Sequence, residues 1–179
     1  MHKVIDHLID DCSWPTSRIH LCGFAQGGTV AAEFALERWR KELERRQSLR
    51  IAADPPSSTS NQDTTSTQLP PPLEESFGSI TSISGPLLSY PTLSKPCPTP
   101  ILIVHRSPPA ESALPSGTLE SFKKGFTTVV ESKLGSKPEG MPASRQEWEP
   151  IMRFWSQRLS KRQVGGGLYE VMTGAGVPS

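Results

Sequence analysis

The residues with the clearest chemical meaning form a short glycine-rich run. Residues 23–28 read Gly-Phe-Ala-Gln-Gly-Gly and lie between a predicted strand and a predicted helix. A strand–turn–helix of this kind is typical of a nucleophile elbow, in which a tight turn lifts the central side chain into the site. The next backbone N–H and the positive end of the helix then stabilise a substrate oxyanion. Ala25 is the central residue and Gln26 supplies the N–H, so the pattern predicts this apparatus without a nucleophilic hydroxyl.

The elbow and its strand resemble a known family. Residues 18–28 read Arg-Ile-His-Leu-Cys-Gly-Phe-Ala-Gln-Gly-Gly. They are similar to the serine elbow of the phospholipase/carboxylesterase family, which includes the acyl-protein thioesterases and usually reads R-I-x-L-x-G-F-S-Q-G-G. The resemblance implies an α/β-hydrolase fold, an acyl ester or thioester as ligand, no cofactor and no metal. Because the methyl group of Ala25 cannot accept an acyl group, it also implies impaired catalysis.

Three later segments extend the resemblance over about residues 1–133. A predicted strand ends in Ser-Gly at positions 84 and 85, as the corresponding strand does in the family. The strand ending at His105 is similar to the family's P-x-L-x-x-H-G, with Arg106 where glycine is usual. The family's triad acid lies in a D-x-x-V-P pattern. Glu111 begins the matching Glu-Ser-Ala-Leu-Pro after a two-residue insertion, which makes it a candidate remnant of that acid.

The resemblance also predicts two missing parts. In the family the general-base histidine follows the last strand, but no histidine occurs after His105. The family further carries about a hundred residues before its elbow strand, including one oxyanion-hole donor. The sequence therefore suggests incompleteness at the N-terminus. It leaves open a truncated gene model, a gene fragment, or a subunit completed by another chain.

Other polar residues are weaker candidates for chemistry. His105 lies at a strand end, where α/β sites gather, but the resemblance implies a structural role for it. His20 lies inside the elbow strand and is expected to be packed. Ser84, Ser107 and Ser112 carry hydroxyls, yet none is predicted to sit on an activating turn.

Composition limits the remaining function classes. The chain has 179 residues, 35% of them hydrophobic, and a net charge of +1, which indicates one domain and gives no electrostatic reason to expect nucleic acid. Three widely spaced cysteines indicate neither a zinc site nor a disulfide framework. The N-terminus does not resemble a signal peptide, and the longest apolar run, residues 101–104, is too short to span a bilayer. A cytoplasmic location is the resulting expectation.

Alternating helical and strand patterns predict the architecture. We expect a parallel sheet of three or four strands flanked by helices, in one α/β domain over residues 1–179. Helices are predicted over residues 2–12, from 27–28 onward, over 118–134 and over 144–161. Strands are predicted over residues 18–24, 77–85, 100–105 and 167–172. Between them, residues 48–76 are rich in proline, serine and threonine and predict a disordered insertion.

Two functional hypotheses follow from these observations. In the first, the chain is a carboxylesterase or acyl-protein thioesterase by descent, impaired because Ala25 replaces the nucleophile. In the second, it is a non-catalytic relative that binds an acyl ligand or an unidentified protein partner in the inherited pocket.

Overall fold

The computed structural model describes residues 1–53, 76–108, 110, 113–135 and 140–159. Its centre is a four-stranded sheet in which every neighbouring pair is parallel and the spatial order follows the chain. The strands are β1 (His20–Phe24), β2 (Ser79–Ile83), β3 (Ile101–Arg106) and β4 (Val129–Leu134). The predicted α/β class, with up to four parallel strands, is confirmed.

Helices cover both faces of this sheet. They are α1 (His2–Asp6), which continues as a π-helical turn over His7–Asp11, α2 (Gln26–Ala53), α3 (Thr118–Gly125) and α4 (Arg145–Arg158). A 3₁₀ turn, Thr16–Arg18, leads into β1. The predicted helices at residues 2–12 and 144–161 are thus present with slightly different ends.

The alternation of side chains along each strand divides the core into two clusters. The larger cluster packs α1, α2 and α3 against one face of the sheet and includes Leu21, Ile80 and Ile101. The smaller packs α4 against the other face and includes Ile83, Leu102, Val104, Ile151 and Phe154. Both central strands are almost wholly buried, as expected for parallel strands between two helical layers.

The predicted helix over residues 118–134 is wrong in its second half. α3 ends at Gly125, and residues Val129–Leu134 form β4 instead. The apolar residues after the glycine also fit a strand, since Val129 and Val130 are β-branched. Residues Val129–Leu134 form a strand rather than a helix because they pair in parallel with all six residues of β3 and share its hydrogen bonds.

The predicted insertion begins later than residue 48. α2 continues through Ala53, so positions 48–53 are helical. The rest of the insertion up to residue 75 and the predicted strand at 167–172 lie outside the described residues. None of the helices in the described ranges combines the length and apolar character needed to cross a membrane.

Candidate functional site

The elbow is the turn between β1 and α2, at the carboxyl edge of the sheet. β1 ends at Phe24, α2 begins at Gln26, and Ala25 between them adopts a left-handed conformation with φ 48°. Its N–H donates to the Ile83 carbonyl at 2.8 Å, and its carbonyl accepts the Thr29 N–H at 3.1 Å. These bonds to β2 and α2 hold a conformation that alanine rarely adopts.

Two glycines allow the strand and the helix to approach closely at this turn. A Cβ on Gly23 would overlap the backbone of Gly27. A Cβ on Gly28 would lie 2.5 Å from Ser82 Oγ and 3.0 Å from the Gly23 carbonyl oxygen. The elbow pattern predicts glycine at positions 23 and 28, and these close contacts are the steric reason for both.

The turn offers a backbone N–H donor at Gln26 and a methyl side chain at Ala25. Gln26 is the first residue of the 28-residue helix α2, so its N–H has no acceptor within the helix. The partial positive charge at this helix end favours an anion nearby. Ala25 places a methyl group where an elbow presents its reactive atom, and a methyl group can neither attack a carbonyl nor donate a hydrogen bond.

Ser84, at the end of β2, has a second left-handed backbone with φ 55°. Its N–H donates to the Val104 carbonyl at 2.7 Å. Its Oγ is buried and has no hydrogen-bond partner within the described ranges. The sequence did not indicate this left-handed backbone, and within the described ranges no base makes a hydrogen bond to the Ser84 hydroxyl.

His105, on β3, is engaged on both sides of its ring. Nε2 lies 2.9 Å from Glu131 Oε1, and Nδ1 lies 3.2 Å from the Arg106 carbonyl oxygen. The hydrogen bond from His105 contributes most to lowering the pKa of the Glu131 carboxyl. Neither nitrogen is directed at Ser84 or Ala25, so the geometry agrees with a structural role for His105.

His20 is packed, as expected. Its Nδ1 lies 2.8 Å from Ser79 Oγ, and burial lowers the pKa of the imidazole. Ser79 is fully buried, so its hydroxyl is closed to a substrate, whereas His20 is half-buried.

Arg106 has a structural role that the sequence pattern did not indicate. Its guanidinium is fully buried and lies 2.9 Å from Glu147 in the first turn of α4. It also donates to the carbonyls of Gly135 and Met141 at 3.1 and 3.0 Å. The only sequence signal for this contact is the capping pattern that begins at Ser144, whose Oγ accepts the Glu147 N–H. Arg106 therefore ties the carboxyl edge of β3 to the start of α4.

The resemblance implies a base and an acid besides the central residue of the elbow. The last described strand is β4, and the resemblance would place the general base in the segment after it. Positions 135–144 read Gly-Ser-Lys-Pro-Glu-Gly-Met-Pro-Ala-Ser and contain no histidine. The candidate acid Glu111 lies outside the described residues. No cluster of His, Cys, Asp and Glu within the described part of the chain could hold a metal ion.

Comparison with known proteins supports hydrolase ancestry at a coarse level. No family model matches the chain. The chain is 29% identical over 160 residues to an uncharacterized hydrolase of Mycosarcoma maydis. The alignment covers 89% of this chain but only 48% of the relative, so the chain spans about half the length of the curated relative it matches.

A solved structure gives independent support for the fold. The structure of YahD with malic acid matches with a TM-score of 0.52 at 10% identity, over 87% of this chain and 59% of that one. The chain thus resembles a hydrolase in sequence, and its parallel sheet shares the fold of this solved structure.

Proposed function

We propose that this chain is a relative of the carboxylesterases and acyl-protein thioesterases in which loss of the serine has removed covalent catalysis. The observation that carries the proposal is Ala25 itself. It holds the left-handed conformation of an elbow nucleophile, at φ 48°, between β1 and the first residue of α2. The local fold of a catalytic turn persists where the reactive atom is absent.

Impairment follows from what the remaining groups can do. Without a hydroxyl at position 25, no acyl-enzyme forms by the serine route. Enzymes that lose a triad member retain roughly 10³-fold catalysis over water when the oxyanion hole is intact. Here Gln26 supplies one donor, and the segment after β4 has no histidine to act as a base. Glu111, as a remnant acid, would have no imidazole to orient, so we expect no useful ester hydrolysis.

The second candidate function is binding without turnover. The helix N-terminus at Gln26 favours it, because its free backbone N–H could still contact the carbonyl end of an acyl ester or thioester. A protein partner in place of the acyl ligand remains part of this alternative. The three free cysteines suit the reducing cytoplasm, which is the proposed location.

The first test separates catalysis from binding. We expect the purified chain neither to hydrolyse a short-chain nitrophenyl ester nor to react with a fluorophosphonate probe. A fluorescent fatty-acyl probe should bind saturably, and Ala25→Leu should weaken that binding because the larger side chain fills the turn.

Ser84→Ala is the matched control for an unforeseen nucleophile. Turnover that survives rigorous purification and disappears in S84A would contradict the proposed impairment and assign the chemistry to Ser84. Absence of both turnover and acyl binding would instead leave only a protein-binding role.

A further inference from the structure

One histidine near the N-terminus contacts both a carboxylate and a thiol. His7 Nδ1 lies 2.5 Å from Asp11 Oδ2, and His7 Nε2 lies 3.9 Å from Cys12 Sγ. None of these side chains belongs to the candidate site at Ala25. All three are exposed, so a small molecule in solution can reach the thiol without any opening of the fold.

The backbone of this segment brings the thiol to the histidine. Residues four apart on a helix share a face, so Asp11 lies near His7. In an α-helix, with 3.6 residues per turn, residue 12 would be directed away from residue 7. Here His7–Asp11 is a π-helical turn, and the Cys12 N–H donates to the His7 carbonyl at 3.1 Å. The wider turn places Cys12 beside the ring, and π-helical turns occur frequently at functional sites.

The helix ends directly after Cys12. Ser13 adopts a left-handed conformation with φ 55°, which serine rarely does. The next N–H, that of Trp14, donates to the Leu8 carbonyl at 2.9 Å. Leu8 packs against the larger core cluster, so this bond fixes the turn to the folded part of the chain. The backbone on both sides of Cys12 is therefore held in place.

The two contacts of His7 give its ring nitrogens different roles. An ionised carboxylate only accepts hydrogen bonds, so Nδ1 carries the proton that is donated to Asp11. Nε2 is then the unprotonated nitrogen, and it is the one beside the thiol. A nucleophile, a base and a group that orients the base, in this order, form the arrangement that activates cysteine nucleophiles.

We propose that Cys12 is a site of covalent modification by small neutral or cationic disulfides, with His7 as its general base and Asp11 as a positioning residue. His7 Nε2 takes the thiol proton as Cys12 Sγ attacks one sulfur of the disulfide. A new S–S bond forms to Cys12 while the S–S bond of the small molecule breaks. The departing thiolate receives the proton from His7. Cys12 is thereby oxidised to a mixed disulfide, and the released half of the small molecule is reduced to a thiol.

The charges around Cys12 limit the class of disulfide. Asp10 and Asp11 are adjacent carboxylates, and the carbonyls at the end of the helix carry partial negative charge. The Arg38 guanidinium of α2 is bound to Asp6 at 3.0 Å. An anionic disulfide would be repelled, and a free thiolate is disfavoured for the same reason, so activation must come from His7. The proposal is independent of acyl binding at Ala25, and either can fail without the other.

The other two cysteines are internal controls for a direct test. Cys22 is also exposed, but desolvation raises the pKa of its thiol, and Cys97 is buried. The 179-residue chain is treated with 2-hydroxyethyl disulfide near pH 7 and sampled over time. Trypsin cleaves after Arg18 and so places Cys12 and Cys22 in separate peptides for mass spectrometry. We expect Cys12 to form the mixed disulfide about tenfold faster than Cys22 or more. Absence of modification at Cys97 reports that the chain is folded.

Histidine variants test the base. His7→Gln keeps a polar side chain but removes the base, so Cys12 should react about tenfold more slowly or less. Its rate should also rise more steeply with pH than in the wild type, because only solvent then removes the thiol proton. His2→Gln is the matched control, since His2 is exposed and pairs with Glu37 at 3.3 Å. It should change neither the rate at Cys12 nor its pH profile.

Two neighbouring aspartates separate positioning from charge. Asp11→Asn removes the carboxylate that orients His7, so it should slow the reaction of Cys12 roughly threefold or more and make its pH profile resemble that of H7Q. Asp10→Asn removes the same charge one residue away. Because a carboxylate nearby repels the thiolate, this variant should leave the rate unchanged or raise it.

Three results would overturn the proposal. One is modification of Cys12 no faster than that of Cys22. Another is an equal rate at Cys12 in H7Q and the wild type, which would assign its reactivity to exposure alone. The third is an equal increase in D11N and D10N, which would mean that Asp11 acts on the thiol only as a charge.

Discussion

Ala25 and its glycine neighbours form a turn whose backbone geometry does not depend on the side chain at its centre. The left-handed conformation costs an alanine roughly 1–2 kcal/mol relative to the right-handed one. Backbone hydrogen bonds to Ile83 and Thr29 hold it, and neither bond depends on the side chain at position 25. The conformation of the turn is therefore set by these backbone hydrogen bonds and by the close packing of Gly23 and Gly28 against neighbouring atoms.

The close approach at Gly28 gives the first prediction. Gly28→Ala should lower the free energy of unfolding by about 1–3 kcal/mol, because the new methyl group would overlap Ser82 Oγ. Gly27→Ala is the matched control, since no atom lies within 4 Å of a Cβ there. Alanine is the better helix former, so that variant should gain up to about 1 kcal/mol. Urea unfolding measures both, and equal effects would contradict the close approach.

At the scale of elements, α4 is attached to the sheet by two different interactions. Its apolar side packs on β2 and β3, while its first turn binds the buried guanidinium of Arg106 through Glu147. The ion pair fixes where the helix begins, and the apolar contacts fix its distance from the sheet. The two contributions can be separated, because one depends on pH and the other does not.

The pH-dependent contribution gives the second prediction. The hydrogen bond from Arg106 lowers the pKa of Glu147 to about 2. An unfolded glutamate titrates near 4.3, so the native state favours the ionised carboxyl. Stability from this pair is present above about pH 4.3 and is lost as the pH falls towards 2. Unfolding free energies across that window should decline less steeply in Glu147→Gln than in the wild type.

Glu149→Gln is the control for this pH dependence. Glu149 pairs with Arg153 on the exposed side of the same helix, where water screens the interaction. Its stability profile between pH 2 and pH 4.5 should run parallel to that of the wild type. A flattened profile in E149Q would mean that Arg106 is not the source of the effect.

The apolar contribution gives the third prediction. Ile151 is fully buried between α4 and the sheet, and the adjacent Met152 is 56% exposed. Ile151→Ala should lower the free energy of unfolding by about 2–5 kcal/mol, through lost burial and the cavity left behind. Met152→Ala should change it by about 0.5 kcal/mol or less. Similar losses in the two variants would show that α4 does not pack as described.

At the scale of the whole molecule, the sheet is asymmetric. Within the described ranges, β2 and β3 are buried on both sides, β4 is an edge strand with charged residues, and β1 is an edge strand without Asp, Glu, Lys or Arg. The turn at Ala25 follows β1 directly, so the candidate site lies at this edge of the described sheet.

Hydrogen exchange in the isolated chain gives the fourth prediction. Amides of Leu21, Gly23 and Ala25 face β2 and should exchange slowly, whereas those of His20, Cys22 and Phe24 face the open edge and should exchange quickly. Residue-resolved NMR would show this alternation of rates along a single strand. Uniform protection of all six amides would mean that the edge is already paired.

Much of the architecture was predictable because it rests on local patterns. Short-range signals predicted the strands at 18–24, 77–85 and 100–105, the start of α2 and the elbow glycines, and the structure confirms them. The second half of the helix predicted at 118–134 was wrong because Val129 and Val130 satisfy both a helical and a strand pattern. Only the pairing of these residues with β3, a contact between distant segments, favours the strand over the helix.

The sequence by itself determined the elbow, the absence of a serine at position 25 and the lack of any histidine after His105. These features are residue identities that can be read along the chain, and they do not depend on contacts between distant segments. Only the tertiary structure decided that Ser84 is left-handed, that His105 binds Glu131, and that Arg106 binds Glu147. It also decided that, among the described residues, no strand pairs with the outer edge of β1. These features join segments far apart in the chain, and their geometry follows from how strands pair and helices pack.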